Sequence, residues 1–258
     1  MHLSDIVALD QYPLDEAFGA RCAEILNRDG VLVLPDFINS AALVTLQDES
    51  RLGQKDAYFC AQDHSVYLTP INDAFAPDHP ANLQVVSSKG CICDDKIAEK
   101  SPLRVLYDSE IFRSFVKRTT GQPELHSYAD PLSSINIHYA NRGQELGWHF
   151  DNSSFAITLL IEKPDAGSRF EYIKDLRDAD AGDMNYDAVG DLLAGRTQPD
   201  VLEMEPGALV LFRGRNSIHR VSPNESDKTR MLAVLAYNDT AGVELSESAR
   251  MTFYGRLS

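Results

Sequence analysis

The chain has 258 residues, of which 43% are hydrophobic and 24% are charged, as expected of a soluble globular protein. Its 24 basic and 39 acidic residues give a net charge of −15, and a field of that sign repels nucleic acids and anionic membranes. No apolar run is long enough to span a bilayer, and the first residues do not resemble a secretory leader. We therefore expect a cytoplasmic protein whose four cysteines are reduced, with a small molecule rather than a nucleic acid or a membrane as its partner.

The first fifty residues predict two helices around a short strand. Residues 14–28 carry apolar side chains at helical spacing, and Gly30 follows as a helix terminator. Residues 31–37 predict a strand. Ser40 predicts the cap of a second helix over 41–52.

Two further segments lie between these helices and the second half of the chain. Residues 53–100 combine polar residues with three prolines and scattered apolar positions, and they predict mostly loop with short strands. Residues 103–120 have apolar side chains at helical spacing and predict one helix before Gly121.

The composition of the sequence changes near residue 131, where β-branched and apolar runs alternate with turn residues. No amphipathic helices separate the runs, so they favour an antiparallel barrel or jelly roll over a parallel sheet. The acidic segment 174–199 predicts a long connection with one short helix. The predicted strands are 133–140, 154–162, 168–173, 200–212, 217–222 and 230–238.

His149, Asp151 and His219 form the pattern that indicates chemistry. A His-x-Asp pair with a distant histidine is the ligand set of the two-histidine, one-carboxylate iron site, which leaves coordination positions open for a 2-oxo acid and dioxygen. In a strand, residues two apart share a face, so His149 and Asp151 can point inward together. Each residue alone has an ordinary structural alternative. Arg230 strengthens the pattern, because an arginine that opens an apolar strand needs an anionic partner, either a cofactor carboxylate or a surface acid.

These residues and their flanking segments resemble the Fe(II)/2-oxoglutarate-dependent dioxygenase superfamily. Within it, they resemble a bacterial branch of free amino-acid hydroxylases of the lysine type and related radical halogenases. The resemblance covers residues 103–245. The segments that carry it are GWHFDNSSFAITLLIE, GSRFEYIKDLRD, EPGALVLFRGRNSIHRVSP and TRMLAVLAYN.

The resemblance implies a fold that is mainly β with flanking helices around a double-stranded β-helix core, a cupin-like jelly roll. It implies one oxygenase domain over 1–258, in which 1–125 supply helical support and substrate-side loops and 126–258 form the core.

The cofactors that the resemblance implies are Fe(II), 2-oxoglutarate and O2. His149, Asp151 and His219 would bind the metal, and Arg230 would hold the far carboxylate of 2-oxoglutarate. Tyr139 would line the 2-oxoglutarate pocket, or serve as a core tyrosine.

Asp151 departs from the halogenases that the sequence resembles. In those enzymes a small residue replaces the carboxylate ligand and leaves room for chloride, whereas here a carboxylate occupies the position. We therefore expect hydroxylation of an unactivated C–H bond, with release of succinate and CO2.

The substrate is expected to be a small free amino acid, with a basic one such as L-lysine first, since the chain is acidic. By resemblance, Asn152, Trp148, Asn238 and Thr240 are candidates to contact it, although turn or core roles explain them equally well. The acidic connection could cover the site or remain a solvated loop. A peptidyl, carrier-bound or natural-product substrate and a non-catalytic, cupin-like metal-binding or sensing protein are the alternative hypotheses.

Overall fold

The apolar runs form eleven strands, and all of them join one antiparallel sheet in the computed structural model, which describes residues 1–258. The predicted fold class, a jelly-roll core with flanking helices, is confirmed. The strands are β1 (Val31–Leu34), β2 (Tyr58–Ser65), β3 (Gln84–Ile92), β4 (Ile135–Ala140), β5 (Leu146–His149), β6 (Ala156–Glu162), β7 (Phe170–Ile173), β8 (Asp200–Leu202), β9 (Leu209–Phe212), β10 (Ile218–Val221) and β11 (Arg230–Leu235).

The order of the strands makes the sheet curl around an interior space. One half runs β1-β9-β6-β11-β4, the other runs β5-β10-β7-β8, and β3 pairs with both β4 and β5 to join them. β2 pairs with β3 over its full length and adds a ribbon at this junction. Side chains from the two halves, such as Val210 and Val221, line one common cavity.

Six helices flank the sheet, and their ends follow ordinary capping chemistry. They are α1 (Glu16–Asp29), α2 (Ser40–Gly53), α3 (Pro102–Tyr107), α4 (Glu110–Thr120), α5 (Tyr186–Leu193) and α6 (Glu247–Tyr254), with single helical turns at Leu3–Asp5, Gln54–Asp56 and Asp94–Lys96. The predicted helix over 14–28 is confirmed as α1. The Asp15 side chain accepts from the Phe18 N–H, and Gly30 ends the helix with a φ of 73°. None of the helices combines the length and apolar character that a membrane span requires.

The predicted single helix over 103–120 is wrong in one respect, because it is divided into α3 and α4. Asp108 ends α3, and the Ser109 hydroxyl accepts from the Phe112 N–H and starts α4. The apolar spacing continues through the break, which is why the pattern alone did not show it. The predicted strand 200–212 is also divided, into β8 and β9, since Gly207 turns the chain with a φ of 92°.

Residues 53–100 are more regular than the prediction of mostly loop, since they contain β2 and β3. Polar side chains on the cavity side of this ribbon obscured the alternation that identifies strands. The sheet is therefore not confined to 126–258, because three of its strands precede that segment. The assignment of 1–258 to one oxygenase domain stays a prediction.

The largest apolar core lies between the outer face of the first half of the sheet and helices α1 to α4. Leu46 of α2 is 1% exposed in this core, whereas Val44 on the same helix is 55% exposed. The side of the sheet that faces the cavity contributes little to this core, so its side chains are free to serve a site.

Replacing Leu46 by alanine should lower the free energy of unfolding by about 2–5 kcal/mol, because it leaves a cavity in the core. Val44→Ala removes an exposed side chain from the same helix and should change the free energy of unfolding by less than about 0.5 kcal/mol. Urea denaturation followed by circular dichroism measures both. Equal effects of the two substitutions would show that α2 does not pack on the sheet as described.

Candidate metal centre

Strand register brings the three predicted metal ligands together. β5 and β10 are antiparallel neighbours, and His149 lies directly opposite His219. Their ring centroids are 4.2 Å apart. Asp151 follows two residues after His149, and its backbone N–H donates to the Gly214 carbonyl at 3.0 Å. The turn before β10 therefore holds the carboxylate beside both imidazoles.

The donor atoms of these side chains are close enough to share one ion. The Asp151 Oδ1 lies 3.7 Å from the Nε2 of His149 and 3.7 Å from the Nε2 of His219. All three ligand atoms lie within 4.8 Å of one another. The Asp151 Oδ2 is buried and has no hydrogen-bond partner, which is costly for a carboxylate oxygen unless a cation satisfies it. Two imidazole nitrogens and a carboxylate suit iron(II).

Hydrogen bonds donated to backbone carbonyls set the tautomer of both histidines. The Nδ1 of His149 lies 2.8 Å from the Gly147 carbonyl, and the Nδ1 of His219 lies 3.0 Å from the Ser217 carbonyl. Since a carbonyl only accepts, each Nδ1 carries the proton and donates it. Each Nε2 lone pair is therefore left to face the metal position.

The surroundings of His149 keep its imidazole neutral. Burial, followed by the neighbouring His219, holds the pKa of His149 well below its ordinary value. The rings of Phe212 and Phe170 lie 4.8 Å and 5.5 Å from the ring of His219, so one side of the site is apolar. Neutral imidazoles are the form that binds a metal.

Gly214 leaves the space that the Asp151 carboxylate occupies. A Cβ at this position would lie 1.8 Å from the Asp151 Oδ2 and 2.5 Å from its Cγ. The turn therefore requires glycine for contact reasons, and its φ is not positive. Sequence reasoning missed Gly214, because a glycine in a turn has no signal that distinguishes this role.

Arg230, the predicted carboxylate clamp, opens β11 and reaches the same cavity, whose volume is about 300 Å³. The guanidinium forms no ion pair with any carboxylate of the chain. Burial lowers the pKa of Arg230 to about 10. A buried cation without a counter-ion favours binding of an anion in the cavity.

The β2–β3 ribbon supplies a wall of the cavity that the sequence did not predict. His64 hydrogen-bonds through Nε2 to the Ser87 hydroxyl at 2.6 Å, and the Ser87 Oγ also accepts from the Gly147 N–H at 3.0 Å. This chain of bonds ties the ribbon to β5. The polar residues of the ribbon that line the cavity are Cys60, Gln62, His64, Ser87, Ser88 and Lys89.

Tyr139 borders the cavity as predicted, whereas Trp148 does not. The Tyr139 hydroxyl donates to the Ser50 carbonyl of α2 at 2.8 Å and the ring packs in the outer core, and His138 beside it also lines the cavity. Trp148 packs beneath α5 with Phe150, on the face of β5 away from the ligands. Strand alternation directs adjacent residues to opposite faces, and for Trp148 the core alternative is the one observed.

The three remaining substrate candidates do not line the cavity. Asn152 and Thr240 are exposed, and Thr240 donates to the Asp239 carboxylate. Asn238 forms a backbone bridge with His126, and its side-chain nitrogen is buried without a partner. The structure therefore does not place these side chains in the wall of the cavity.

The acidic connection 174–199 lies against the outside of the site and contributes no residue to the cavity wall. The Arg177 Nε donates to the Arg215 carbonyl at 2.8 Å, and its guanidinium lies 4.0 Å from the centroid of the Phe150 ring. Arg215 in turn pairs with Asp180 at 2.7 Å. The connection thus braces the turn that carries Gly214.

Comparison of the sequence with protein-family models finds a match over residues 81–252 to the family described as halogenase D. None of the curated proteins matches. The matched segment includes all three candidate ligands and Arg230, so the predicted relation to a branch that contains halogenases is confirmed.

Solved structures with a similar fold include iron- and 2-oxoglutarate-dependent enzymes. An oxidoreductase of the 2OG-Fe(II) oxygenase family from Burkholderia pseudomallei has a TM-score of 0.55 and 13% identity, over 89% of this chain and 95% of that chain. The epimerase SnoN from a complex with Fe3+, alpha ketoglutarate and nogalamycin RO has a TM-score of 0.58 and 13% identity, over 86% and 84%. A prolyl hydroxylase from Trichoplax adhaerens, in complex with a hypoxia inducible factor peptide fragment, has a TM-score of 0.55 and 13% identity, over 90% and 93%. At these identities the likeness shows the fold.

Gly214→Ala should weaken metal binding, because the added methyl group must displace the Asp151 carboxylate. Loss of one anionic ligand should reduce the affinity for Fe(II) or Co(II) by about tenfold or more in an anaerobic titration. Gly19→Ala is the matched control, since its added Cβ lies far from the metal ligands and meets only the flexible side chain of Arg118, at 2.9 Å from its Cδ. Equal metal affinity in the two variants, with unchanged circular dichroism, would mean that Asp151 does not face the ion.

Proposed function

The chain belongs to the halogenase D family, and from that premise we propose that it is an Fe(II)- and 2-oxoglutarate-dependent hydroxylase of a small free amino acid. A basic amino acid such as L-lysine is the first candidate substrate, because the net charge of −15 attracts cations. The reaction would consume O2 and release succinate and CO2.

Asp151 is the observation that carries hydroxylation rather than halogenation. Halogenases of the branch that the sequence resembles have a small residue at this position, which leaves a coordination position for chloride. Here the carboxylate lies beside both imidazoles, and its Oδ2 has no other partner. A carboxylate ligand in that position supports transfer of oxygen to the substrate.

Bound iron and 2-oxoglutarate would together supply the oxidising chemistry that activates a C–H bond. The protein would hold the metal through the Nε2 atoms of His149 and His219 and through the Asp151 carboxylate. Arg230 would hold the far carboxylate of 2-oxoglutarate by a charge-assisted pair. Apolar side chains such as Leu232 and Val234 would exclude water from the space beside it.

The size of the cavity supports a small substrate. A volume of about 300 Å³ is at the lower end of the range of about 300–1,000 Å³ for small-molecule sites, and 2-oxoglutarate must share it. The second candidate is the same chemistry on a natural product or a peptidyl or carrier-bound residue, since SnoN was crystallised with nogalamycin RO and the Trichoplax enzyme with a peptide fragment. Arg230 argues against a non-catalytic metal-binding or sensing protein, because a protein that only senses a metal does not need a buried arginine beside it.

In the first test, the protein is loaded anaerobically with Fe(II) and 2-oxoglutarate and is then mixed with each common free amino acid in the presence of chloride. Oxygen is admitted last. We expect substrate-dependent succinate and a product that carries one additional oxygen atom, as judged by mass spectrometry. Asp151→Ala should abolish the product, because the metal loses its anionic ligand. A chlorinated product from the native protein would contradict hydroxylation, and failure of every amino acid would reject this substrate class.

Arg230→Gln should raise the 2-oxoglutarate concentration needed for half-maximal binding by about tenfold to a hundredfold, because it removes a charge-assisted pair. The absorbance of the anaerobic Fe(II)-2-oxoglutarate complex measures this requirement. Arg113→Gln changes an arginine of α4 that does not line the cavity, and it should leave the 2-oxoglutarate requirement unchanged. An unchanged requirement in Arg230→Gln would assign the clamp to another residue.

A further inference from the structure

A second basic side chain reaches the cavity that contains the metal ligands. Lys89 lies in β3, the strand that joins the two halves of the sheet, and it lines the cavity together with Arg230. The Lys89 Nζ lies 3.3 Å and 3.4 Å from the two ring nitrogens of His138. It also lies 5.0 Å from the centroid of the Phe253 ring in α6. Its neighbours are therefore an imidazole and an aromatic face.

Lys89 forms no ion pair with the protein. The carboxylates that line the cavity are Asp151 and Glu145, and neither is within ion-pair distance of the Lys89 Nζ. Burial lowers the pKa of Lys89, and the charge of Asp151, which lies beyond ion-pair distance, acts in the opposite direction without cancelling this effect. An ammonium group in such surroundings is costly unless an anion enters the cavity.

His138 does not provide the missing negative charge. Burial, then Lys89 and then Arg230, hold the pKa of His138 well below its ordinary value, so the imidazole is neutral. A neutral ring can accept a hydrogen bond from the Lys89 ammonium, but it cannot balance its charge. Both Lys89 and Arg230 thus influence His138, and neither of these cations has a carboxylate partner.

The cofactor accounts for only one of these two cations. 2-Oxoglutarate has two carboxylates. Under the proposed function, one of them reaches the metal and the other reaches Arg230. No carboxylate remains for Lys89, and the other occupant of the cavity must supply it.

We propose that Lys89 binds the carboxylate of the substrate and thereby selects a free carboxylic acid. The inference rests on the proposed function for the presence of a substrate beside 2-oxoglutarate, and it narrows the substrate class. A free amino acid has the carboxylate that Lys89 requires. An internal peptidyl residue or a carrier-bound thioester lacks it, and would leave the ammonium unpaired in the bound state.

The test measures binding rather than turnover. Native protein is loaded anaerobically with Fe(II) and 2-oxoglutarate and titrated with the common free amino acids and with their carboxamides, and the rise in Tm reports binding. We expect at least one amino acid to bind, and its carboxamide to bind about tenfold more weakly or worse. Lys89→Met, which keeps the aliphatic stem, should weaken binding of the acid to the level of the amide. Lys89→Arg should restore part of the difference.

Two controls assign the effect to the substrate site. Lys117→Met removes a lysine from the surface of α4 and should bind the amino acid as the native protein does. The dissociation constant of 2-oxoglutarate, measured without amino acid, should rise in Arg230→Gln and not in Lys89→Met. A rise in Lys89→Met of similar size would assign Lys89 to the cofactor and overturn the proposal. Equal binding of acid and carboxamide would overturn it as well.

Failure of the proposed function has a different result. If no amino acid stabilises the native protein, the amino-acid substrate class is rejected, and the same titration is made with unbranched aliphatic carboxylic acids and their amides. If these acids stabilise the native protein but not Lys89→Met, the carboxylate site at Lys89 is supported, and the substrate is a carboxylic acid other than an amino acid. No stabilisation by any of the acids would reject the Lys89 proposal itself.

Discussion

The pairing of β5 with β10 sets His149 directly opposite His219, and the candidate metal site depends on this register. In a sheet, a shift by one residue would turn either side chain to the opposite face and separate the two imidazoles. The carbonyl of Gly147 in β5 and that of Ser217 immediately before β10 fix both Nδ1 protons, so position and tautomer have a common origin. Asp151 then needs only the turn at Gly214 to complete the set.

The cavity inside the sheet has unpaired basic side chains, although the chain as a whole is acidic. Arg230 and Lys89 face a common cavity and have no carboxylate partners, while the chain as a whole carries a net charge of −15. The overall field favours cations at long range, whereas the cavity favours anions at short range. A molecule with a carboxylate at one end and a basic group at the other satisfies both conditions. This agrees with the proposed amino-acid substrate.

The first half of the chain has two roles in this arrangement. Helices α1 to α4 bury the outer face of the sheet, which allows the inner face to carry polar residues without loss of a core. The β2–β3 ribbon forms a wall of the cavity and bonds to β5 through Ser87. On the other side, α5 and the acidic connection cover Trp148 and brace the metal-ligand turn. The helices behind the sheet, the β2–β3 ribbon and the acidic connection, which are distant from one another in sequence, thus all support the site.

The sequence by itself determined the antiparallel fold class and the residues that the sheet brings together around the metal position. Apolar runs identify strands, and His149, Asp151, His219 and Arg230 are residue types with few alternative explanations when they occur together. It also determined that Asp151 supplies a carboxylate, the feature on which hydroxylation is proposed. Only the tertiary structure decided which neighbouring residues face the cavity. The Tyr139 hydroxyl is held in the outer core, and His138 beside it reaches the interior, because the face of each residue depends on strand register. The part played by Lys89 likewise follows from pairing between distant strands, which determines whether a lysine has a counter-ion, and no local pattern in the sequence contains that information.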